Sequence, residues 1–483
     1  MAPPLKRLFP CALLAVMLAA CVTPPDAPQR PDTGATTSSF DNAANTTFAS
    51  VEVESSWWEG FEDPVLDQLI VDALANNKDL TVAQANIDIV QARLQRQRLD
   101  PTLSTQSQAG ADLGRAARDG ADAEVTGNAQ IGASWEYDAF GRIASEIESA
   151  EFDVLVAQEA RRDVAVIVAS ETALAYADLR GNQVRLSVAE ANAALQEDSL
   201  DLLKTLFENG RATRLDLERA EAQYRATLAS LPLLEANIRT AGARLVTLTG
   251  QTGLAESEII QSSLEPRRQT PVPPQTLSVG TPEALIRRRP DIRSAEADIA
   301  SLLALGKADR ARLFPTLIFN ANLLSLFSDG NDLGDSLGFG IGPAIRWDGP
   351  DLRRVRADID VTDAQTRAAF ARYEASVVNA LGEVEIALIN YAQEQARRED
   401  LEAAATAAER AVDLARLRFE EGLDDFLDVI DAQRTLLQAQ DQLEISRLTT
   451  TRQAIAAYRA LGGIWTTDAL DTASRTGDFN VAL

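Results

Sequence analysis

The sequence predicts an α+β membrane protein in which very long α-helices of coiled-coil type accompany four transmembrane β-strands per chain. Three observations predict this class. Two stretches of about seventy residues contain no proline and one glycine each, and they are long enough for rod-like helices. A pair of segments with alternating apolar and polar residues precedes each stretch. The whole pattern then occurs twice, which indicates an internal duplication.

The composition of the 483-residue chain argues against most enzymes. The sequence contains no histidine, which excludes Ser-His and Cys-His catalysis and every zinc or haem site that uses histidine. Its two cysteines, Cys11 and Cys21, both lie near the N-terminus and cannot form a disulfide framework. The net charge of −26 argues against binding along a nucleic-acid backbone.

The first element in chain order, residues 1–20, is a predicted secretory signal peptide. Lys6 and Arg7 precede an apolar run that is too short for a transmembrane helix of about 20 residues. The run ends in Leu18-Ala19-Ala20-Cys21, which resembles a bacterial lipobox, so Cys21 is the predicted lipidation site and would carry palmitate or a similar acyl group. The alternative is a plain alanine-rich cleavage site beside a coincidental cysteine.

Residues 21–56 are predicted to form a lipidated N-terminal tether, because they are rich in Pro, Thr, Ser, Asp and Ala. In lipoproteins of the resembled kind, an Asp after the acylated cysteine usually signals retention in the inner membrane. This chain has Val22 there, so the outer membrane is the predicted location.

The rest of the chain consists of two copies of one unit. At an offset of 212 residues, Asp79-Leu80 recurs as Asp291-Ile292 and Phe207-Glu208-Asn209-Gly210 recurs as Phe419-Glu420-Glu421-Gly422. The predicted divisions are a first repeat over 57–265, a proline-rich linker over 266–282, a second repeat over 283–465 and a C-terminal tail over 466–483.

Each repeat starts with a helix of modest length, at about 78–99 and about 291–313, that ends at a proline. The long helices are predicted at 142–208 and 351–420, and each is followed by a glycine-containing turn and a second long helix. Such helices need neighbours along their whole length, as in a coiled coil. We expect Pro232 to interrupt and bend the return helix of the first repeat.

The β-hairpins are predicted at about 103–138 and about 316–347. In the first, Ile131, Trp135 and Tyr137 alternate with polar residues, and in the second Phe339 and Ile341 alternate with glycines. Strands of about 11 residues cross a bilayer when tilted, and terminal aromatic residues suit its interface. The alternative is a soluble, half-buried sheet.

Four strands cannot close a transmembrane barrel, since the smallest barrels have about 8 strands. Open strand edges in lipid would leave backbone groups unsatisfied. If the strands cross a membrane, several chains must therefore pool them.

Several motifs resemble those of TolC-like outer-membrane factors, in the lipoprotein subgroup called NodT-type, and the likeness extends over about residues 57–465. The motifs are Trp57-Trp58-Glu59-Gly60-Phe61-Glu62-Asp63-Pro64, Tyr137-Asp138-Ala139-Phe140-Gly141-Arg142, Arg289-Pro290-Asp291-Ile292-Arg293-Ser294-Ala295-Glu296 and Ala460-Leu461-Gly462-Gly463-Ile464-Trp465.

This resemblance implies a homotrimer in the outer membrane. Twelve pooled strands would form one β-barrel, which a long α-helical coiled-coil barrel continues through the periplasm. Proteins of this kind are passive exit ducts for tripartite efflux or type I secretion systems and transport small molecules or drugs. Their partners are a periplasmic adaptor (membrane fusion) protein and an inner-membrane pump of RND or ABC type. The resemblance implies no cofactor and no enzymatic reaction.

The resemblance also implies a periplasmic gate at the turns near Gly210 and Gly422. Its acidic residues match Asp428 and Asp431 in the second repeat and Asp216 in the first, and they would form a cation-binding ring. Some members of the resembled family place an arginine two residues after the second glycine, where this chain has Asp424. Arg211 or Arg214 would then replace that arginine as the basic partner of the gate acids. The competing interpretation of each acid is helix capping or pairing with the helix dipole.

Two other classes compete with a channel. A periplasm-spanning coiled-coil tether without a pore would have no use for an apolar strand face, and a lipid-anchored hydrolase would need carboxylate-only chemistry.

The turn of the second hairpin contains four residues that could bind calcium, but a solvated turn is the favoured interpretation. The four residues are Asp329, Asn331, Asp332 and Asp335.

Overall fold

The computed structural model describes residues 39–44, 47–49, 51, 55–115, 123–253, 269–328, 337–347, 349 and 352–463. The predicted signal peptide, Cys21, the C-terminal tail and both hairpin turns lie outside the described residues. The described chain forms two compact units. One contains residues 97–149 and 302–366, and the other contains the remaining described residues.

The strands and helices, in chain order, are β1 Phe48–Ala49, α1 Pro64–Asn76, α2 Lys78–Leu99, β2 Ser104–Arg115, β3 Ala123–Tyr137, α3 Arg142–Glu208, α4 Arg214–Leu248, β4 Leu277–Ser278, α5 Pro282–Arg288, α6 Pro290–Ala311, β5 Thr316–Ser328, β6 Leu337–Arg346, α7 Arg353–Glu420 and α8 Phe426–Ala460. Two short 3-10 helices, Asp41–Ala44 and Trp57–Phe61, precede α1.

This order confirms the predicted duplication, because a shorter helix, a β-hairpin and two long helices follow one another twice. The two longest helices have 67 and 68 residues and begin and end within two residues of the predicted bounds. A narrow apolar stripe of α7 is buried at Tyr373, Val377, Val384, Leu388 and Tyr391. Burial at spacings of three and four residues is typical of a helix packed along one stripe.

The expectation that Pro232 interrupts the return helix is wrong. Pro232 lies inside α4, which continues from Arg214 to Leu248. Pro232 is itself exposed. A proline removes one backbone donor and displaces the carbonyl four residues earlier. On an exposed helix face water can satisfy that carbonyl, so the helix tolerates the residue.

Part of the predicted tether is packed rather than extended. Residues 41–44 form a 3-10 helix, and β1 pairs in parallel with β4. Phe40 and Phe48 are buried, and the carboxylate of Glu385 accepts hydrogen bonds from the backbone N–H groups of Asp41 and Asn42. Two phenylalanines within a polar stretch therefore attach this segment to the helices.

The motif around Trp57 builds a buried junction. The Trp57 ring stacks on Tyr458 with centroids 5.1 Å apart. Asp63 caps α1 by accepting a hydrogen bond from the Val65 N–H at 3.0 Å, and its second oxygen accepts one from the Tyr176 hydroxyl at 2.7 Å. Burial of the Tyr176 side chain raises its pKa above the usual range, and the hydrogen bond to Asp63 raises it further.

The strands of both hairpins lie in one antiparallel sheet with the order β2-β3-β5-β6. The first hairpin joins the second through β3 and β5, where Ile131 lies opposite Leu323 and Trp135 opposite Phe319. Within the described chain, β2 and β6 each have one edge without a partner strand.

The two faces of this sheet differ in polarity, as the alternation predicts. Ile131, Leu323 and Phe339 lie side by side on one face, because the register pairs Ile131 with Leu323 and Leu323 with Phe339. The side chains of Phe339 and Ile341 are 86% and 83% exposed. The opposite face carries amide side chains, namely Gln106, Gln108, Asn128, Gln130, Asn320 and Asn322. Within the described ranges, no helix is both long and apolar enough to cross a membrane.

Candidate functional site

The two turns that join the long helices have the same backbone geometry. Gly210 and Gly422 have φ angles of +69° and +71°. The N–H of the next residue, Arg211 or Leu423, donates to the carbonyl five residues earlier at 2.8 and 2.9 Å. This is the Schellman arrangement, in which a glycine adopts the left-handed conformation that ends a helix. Both copies of the duplicated unit therefore end their first long helix in the same way.

Asp216 lies in the first turn of α4, where it forms a capping box with Thr213. The Thr213 hydroxyl accepts from the Asp216 N–H at 3.3 Å, and the Asp216 carboxylate accepts from the Thr213 N–H at 3.2 Å. The Thr213 hydroxyl also donates to the same carboxylate at 2.5 Å. Such reciprocal bonds satisfy donors that the first helical turn leaves without partners.

Asp428 and Asp431 lie in the first two turns of α8. Asp428 is exposed, and its backbone N–H donates to the Asp425 carbonyl at 3.2 Å. Asp431 forms an ion pair with Arg434 at 3.0 Å, and both side chains are about half exposed. Because residues three apart share a helix face, this pair lies along one side of α8.

Asp424 is paired with Arg418 within the same chain. Nη2 of Arg418 donates to Oδ1 of Asp424 at 2.8 Å, and Nε donates to Oδ2. The hydrogen bond from Arg418 holds the pKa of Asp424 below its usual range. The pKa of Arg418 is raised mainly by Asp424, with a smaller contribution from Asp428.

A shared apolar cluster supports both turns. Phe426 and Phe419 meet edge to face with their ring centroids 5.0 Å apart. The buried members of the cluster are Leu200, Leu203, Ala220, Phe426, Val429 and Ile430. Beside them, Nε2 of Gln433 donates to the Ser199 hydroxyl at 2.8 Å. The structure therefore joins the two repeats at their turns through a packed core.

The turn region thus presents carboxylates with different surroundings. Asp216 is engaged in helix capping, Asp424 and Asp431 each face an arginine, and Asp428 has the most open surroundings of the predicted acids. Sequence reasoning missed Arg418 and Arg434. The three-residue spacing from Asp431 to Arg434 is a readable signal of a helical ion pair, whereas pairing across a turn from Arg418 to Asp424 has no such signal.

These features together define a class of protein. Two long helical hairpins, a four-stranded sheet with an apolar exposed face and the repeated turns are the architecture of TolC-like outer-membrane channels. The chain belongs to the outer membrane efflux protein family, whose model matches residues 69–251 and again residues 281–463. The two matches are separated by the same 212 residues as the internal repeat.

Relatives and solved structures agree with this membership. The chain is 29% identical over 396 residues to Nodulation protein T of Rhizobium leguminosarum bv. trifolii, covering 80% of this chain and 83% of the relative. It is 30% identical over 426 residues to the toluene efflux pump outer membrane protein TtgF of Pseudomonas putida, covering 86% of each. The outer-membrane channel OprN matches with a TM-score of 0.82 and 33% identity, covering 92% of this chain and 99% of that one.

The structure of CusC, at 22% identity and a TM-score of 0.79 over 92% of this chain and 100% of that one, supports the fold alone. Family membership makes this chain an outer-membrane protein that extends into the periplasm and acts as the exit duct of an efflux system. Efflux channels are transport proteins and not enzymes, in agreement with the composition.

Proposed function

We propose that three copies of this chain assemble into one transmembrane β-barrel of twelve strands, which opens into a duct formed by the long helices. The four-stranded sheet carries this proposal. It has one apolar face with highly exposed Phe339 and Ile341, and β2 and β6 have unpartnered edges within the described chain. Large apolar patches in contact with water are unfavourable, and membrane-facing strands remove that cost.

The strand edges supply the reason for assembly. Each unpaired edge presents a row of backbone N–H and C=O groups, and leaving such groups bare in hydrocarbon costs several kcal/mol each. Pairing β6 of one chain with β2 of the next satisfies both rows at once. A closed ring of three chains leaves no free edge, and it places the amide-rich face toward an aqueous lumen.

The duct works in a tripartite system that expels small molecules or drugs. Its partners are a periplasmic adaptor (membrane fusion) protein and an inner-membrane pump of RND or ABC type. The names of TtgF and related efflux proteins support the efflux role over type I secretion of proteins. The duct is passive, so the pump supplies the energy.

Cys21 anchors the mature chain to outer-membrane lipid through an acyl chain such as palmitate. The segment Leu18-Ala19-Ala20-Cys21 supports this anchor, because it resembles a lipobox at the end of a predicted signal peptide. A single acyl chain alone gives only marginal membrane binding, so the barrel contributes most of the anchoring.

The turns around Gly210 and Gly422 form the periplasmic gate of this duct. Asp428, Asp431 and Asp216 would each occur three times around the trimer axis. Like charges in a narrow passage repel one another and attract cations. In this chain Arg434 offsets part of the charge of Asp431, so Asp428 contributes most to a cation-binding ring.

A disulfide experiment tests the barrel directly. Ser107 on β2 shares the apolar face with Ile131 of β3, its neighbour in the register, and with Ile341 on β6. Within one chain β2 and β6 are three strand spacings apart, about 14 Å, which is too far for a disulfide. Cysteines at Ser107 and at Phe339, Ile341 or Pro343 can therefore link only different chains.

We expect at least one of these pairs to produce covalent dimers and trimers on a non-reducing gel, and no larger species. The matched control has cysteines at Ser107 and Ile131, which should form a disulfide within one chain and migrate as a monomer. The native trimer should resist mild heating in detergent and conduct ions in planar bilayers. Absence of cross-links from all three pairs, with the control disulfide formed, contradicts the proposal.

A further inference from the structure

A cavity of about 610 Å³ lies at the end of the sheet where β3 and β6 finish and β5 begins. Its lining contains four arginines and two acidic residues, although the chain as a whole has a net charge of −26. The charged lining residues are Glu136, Arg142, Arg312, Arg346, Arg354 and Asp358.

Two of these arginines have their charge compensated. Arg142 forms ion pairs with Glu136 at 2.8 Å and with Glu146 at 2.9 Å. Arg312 lies 3.5 Å from Asp309. The other two, Arg346 and Arg354, form no ion pair or side-chain hydrogen bond with any residue in the described part of the chain. Both side chains are exposed and line the cavity.

Helix stability does not explain these basic residues. The first turn of α7 contains Arg353, Arg354 and Arg356 and no acidic residue. A helix N-terminus carries a partial positive charge, so basic residues there are unfavourable and an anion is favourable. Asp348 and Asp351, which precede α7 in the sequence, lie outside the described residues.

Two aromatic rings complete the lining and are held in place. Nε1 of Trp347 donates to the Leu313 carbonyl at 3.1 Å. Phe314 stacks on Phe140 with ring centroids 4.5 Å apart and planes 13° from parallel. Rings fixed in this way offer flat apolar contact, and a cavity of this size suits a small organic molecule.

We propose that this cavity binds a small aromatic anion, with Arg346 and Arg354 holding its carboxylate, sulfonate or phosphate group. A guanidinium matches such groups with paired hydrogen bonds. The ligand comes from the aqueous side. Arg346 pairs with Thr316 in the strand register. Because side chains alternate along a strand, Thr316 and Arg346 lie on the same amide-rich face as Asn320 and Asn322. An acyl chain would lie on the other face.

The site lies within one chain and goes beyond the role of an exit duct, although its location in a lumen rests on the proposed trimer. The test is calorimetric titration of the purified full-length protein in non-ionic detergent with naphthalene-2-sulfonate. We expect saturable binding that weakens about tenfold in Arg346→Gln and in Arg354→Gln, as for loss of one charged hydrogen-bonding group. Arg346→Lys should bind with intermediate affinity.

Arg225→Gln is the matched control, because Arg225 is an exposed arginine outside the cavity, and it should leave binding unchanged. Neutral 2-naphthol should bind much more weakly than the sulfonate. The proposal is overturned if the double variant Arg346→Gln/Arg354→Gln binds the sulfonate as tightly as the native protein does. It is also overturned if dihexanoyl-phosphatidylglycerol binds to the native protein more tightly than the sulfonate. Binding in detergent does not require a conducting pore. If the sulfonate binds but the protein does not conduct ions, only the proposed channel assembly is contradicted.

Discussion

Arg418 holds Asp424 in a bidentate ion pair across the turn between α7 and α8, with Nη2 of Arg418 2.8 Å from Oδ1 of Asp424. The pair closes a turn in which Gly422 has a positive φ angle and Leu423 donates back to the Arg418 carbonyl. The acid is therefore engaged by an arginine of its own chain.

The first prediction concerns the pH dependence of this turn. Because Arg418 lowers the pKa of Asp424, the pair stabilises the turn at pH values above about 3.9, the ordinary value for aspartate. That stabilisation is lost as the pH falls through the lowered pKa. Hydrogen–deuterium exchange of residues 417–426, corrected for intrinsic rates, should show the loss. Asp424→Asn should remove the titration, and an unchanged profile in that variant would assign it to another group.

The two faces of the sheet give the second prediction. Phe339→Arg or Ile341→Arg places a charge on the apolar face, which costs about 2–4 kcal/mol near the middle of a bilayer. Asn128→Arg or Gln130→Arg places the same charge on the amide-rich face and should be tolerated. The measurement is the fraction of heat-resistant trimer in outer-membrane extracts. Equal losses on both faces would mean that the apolar face does not contact lipid.

The third prediction separates the core of the turns from their surface. Phe426→Ala removes a buried ring that contacts Phe419, and such changes cost about 3–5 kcal/mol. The neighbouring residue Leu427 is 39% exposed, so Leu427→Ala should cost within about 0.5 kcal/mol. Thermal unfolding of the detergent-solubilised protein compares the two. A large loss for Leu427→Ala would indicate that another chain covers this residue.

Much of the fold could be predicted from the sequence, because its elements are long and strongly patterned. The absence of proline over 142–208 predicts α3 with the bounds that the structure has. The alternation around Ile131 and Phe339 likewise predicts which residues share a sheet face. These signals depend on local geometry, which tertiary contacts do not alter here.

Features that depend on distant contacts could not be predicted. Phe40 lies in a stretch of polar composition, and only its packing shows that the segment is fixed to the helices. The same holds for the pairing of Arg418 with Asp424 and for the cavity around Arg346 and Arg354, whose residues come from separate elements. The effect of Pro232 on its helix depends on exposure, which the sequence does not state.

The fourth prediction tests the lipid anchor. Cys21→Ala should prevent acylation and signal-peptide processing, because the modified residue is the predicted attachment site. Metabolic labelling with palmitate followed by immunoprecipitation should detect label on the native chain alone. The variant should still form trimer, since the barrel itself anchors the protein. Palmitate label on the Cys21→Ala variant would refute the lipobox prediction.

The last prediction concerns the acids of the proposed gate. In a symmetric trimer, Asp428 and Asp431 place six carboxylates around one passage, which should bind multivalent cations and make the pore cation-selective. We expect low resting conductance and block by multivalent cations from the periplasmic side. The double change Asp428→Ala/Asp431→Ala should relieve the block and weaken the selectivity.

The ion pair between Asp431 and Arg434 sharpens this prediction. Since Arg434 offsets the charge of Asp431, the single change Asp428→Ala should relieve more of the block than Asp431→Ala, and Arg434→Gln should strengthen it. Asp216→Ala should act mainly on the stability of α4, because that carboxylate caps the helix. Asp335→Ala, in the predicted extracellular turn, is the control and should change neither block nor selectivity. Planar-bilayer recordings on intact trimers measure both properties. An unchanged block in the double variant would leave Asp428 and Asp431 as helix-terminal acids without a gating role.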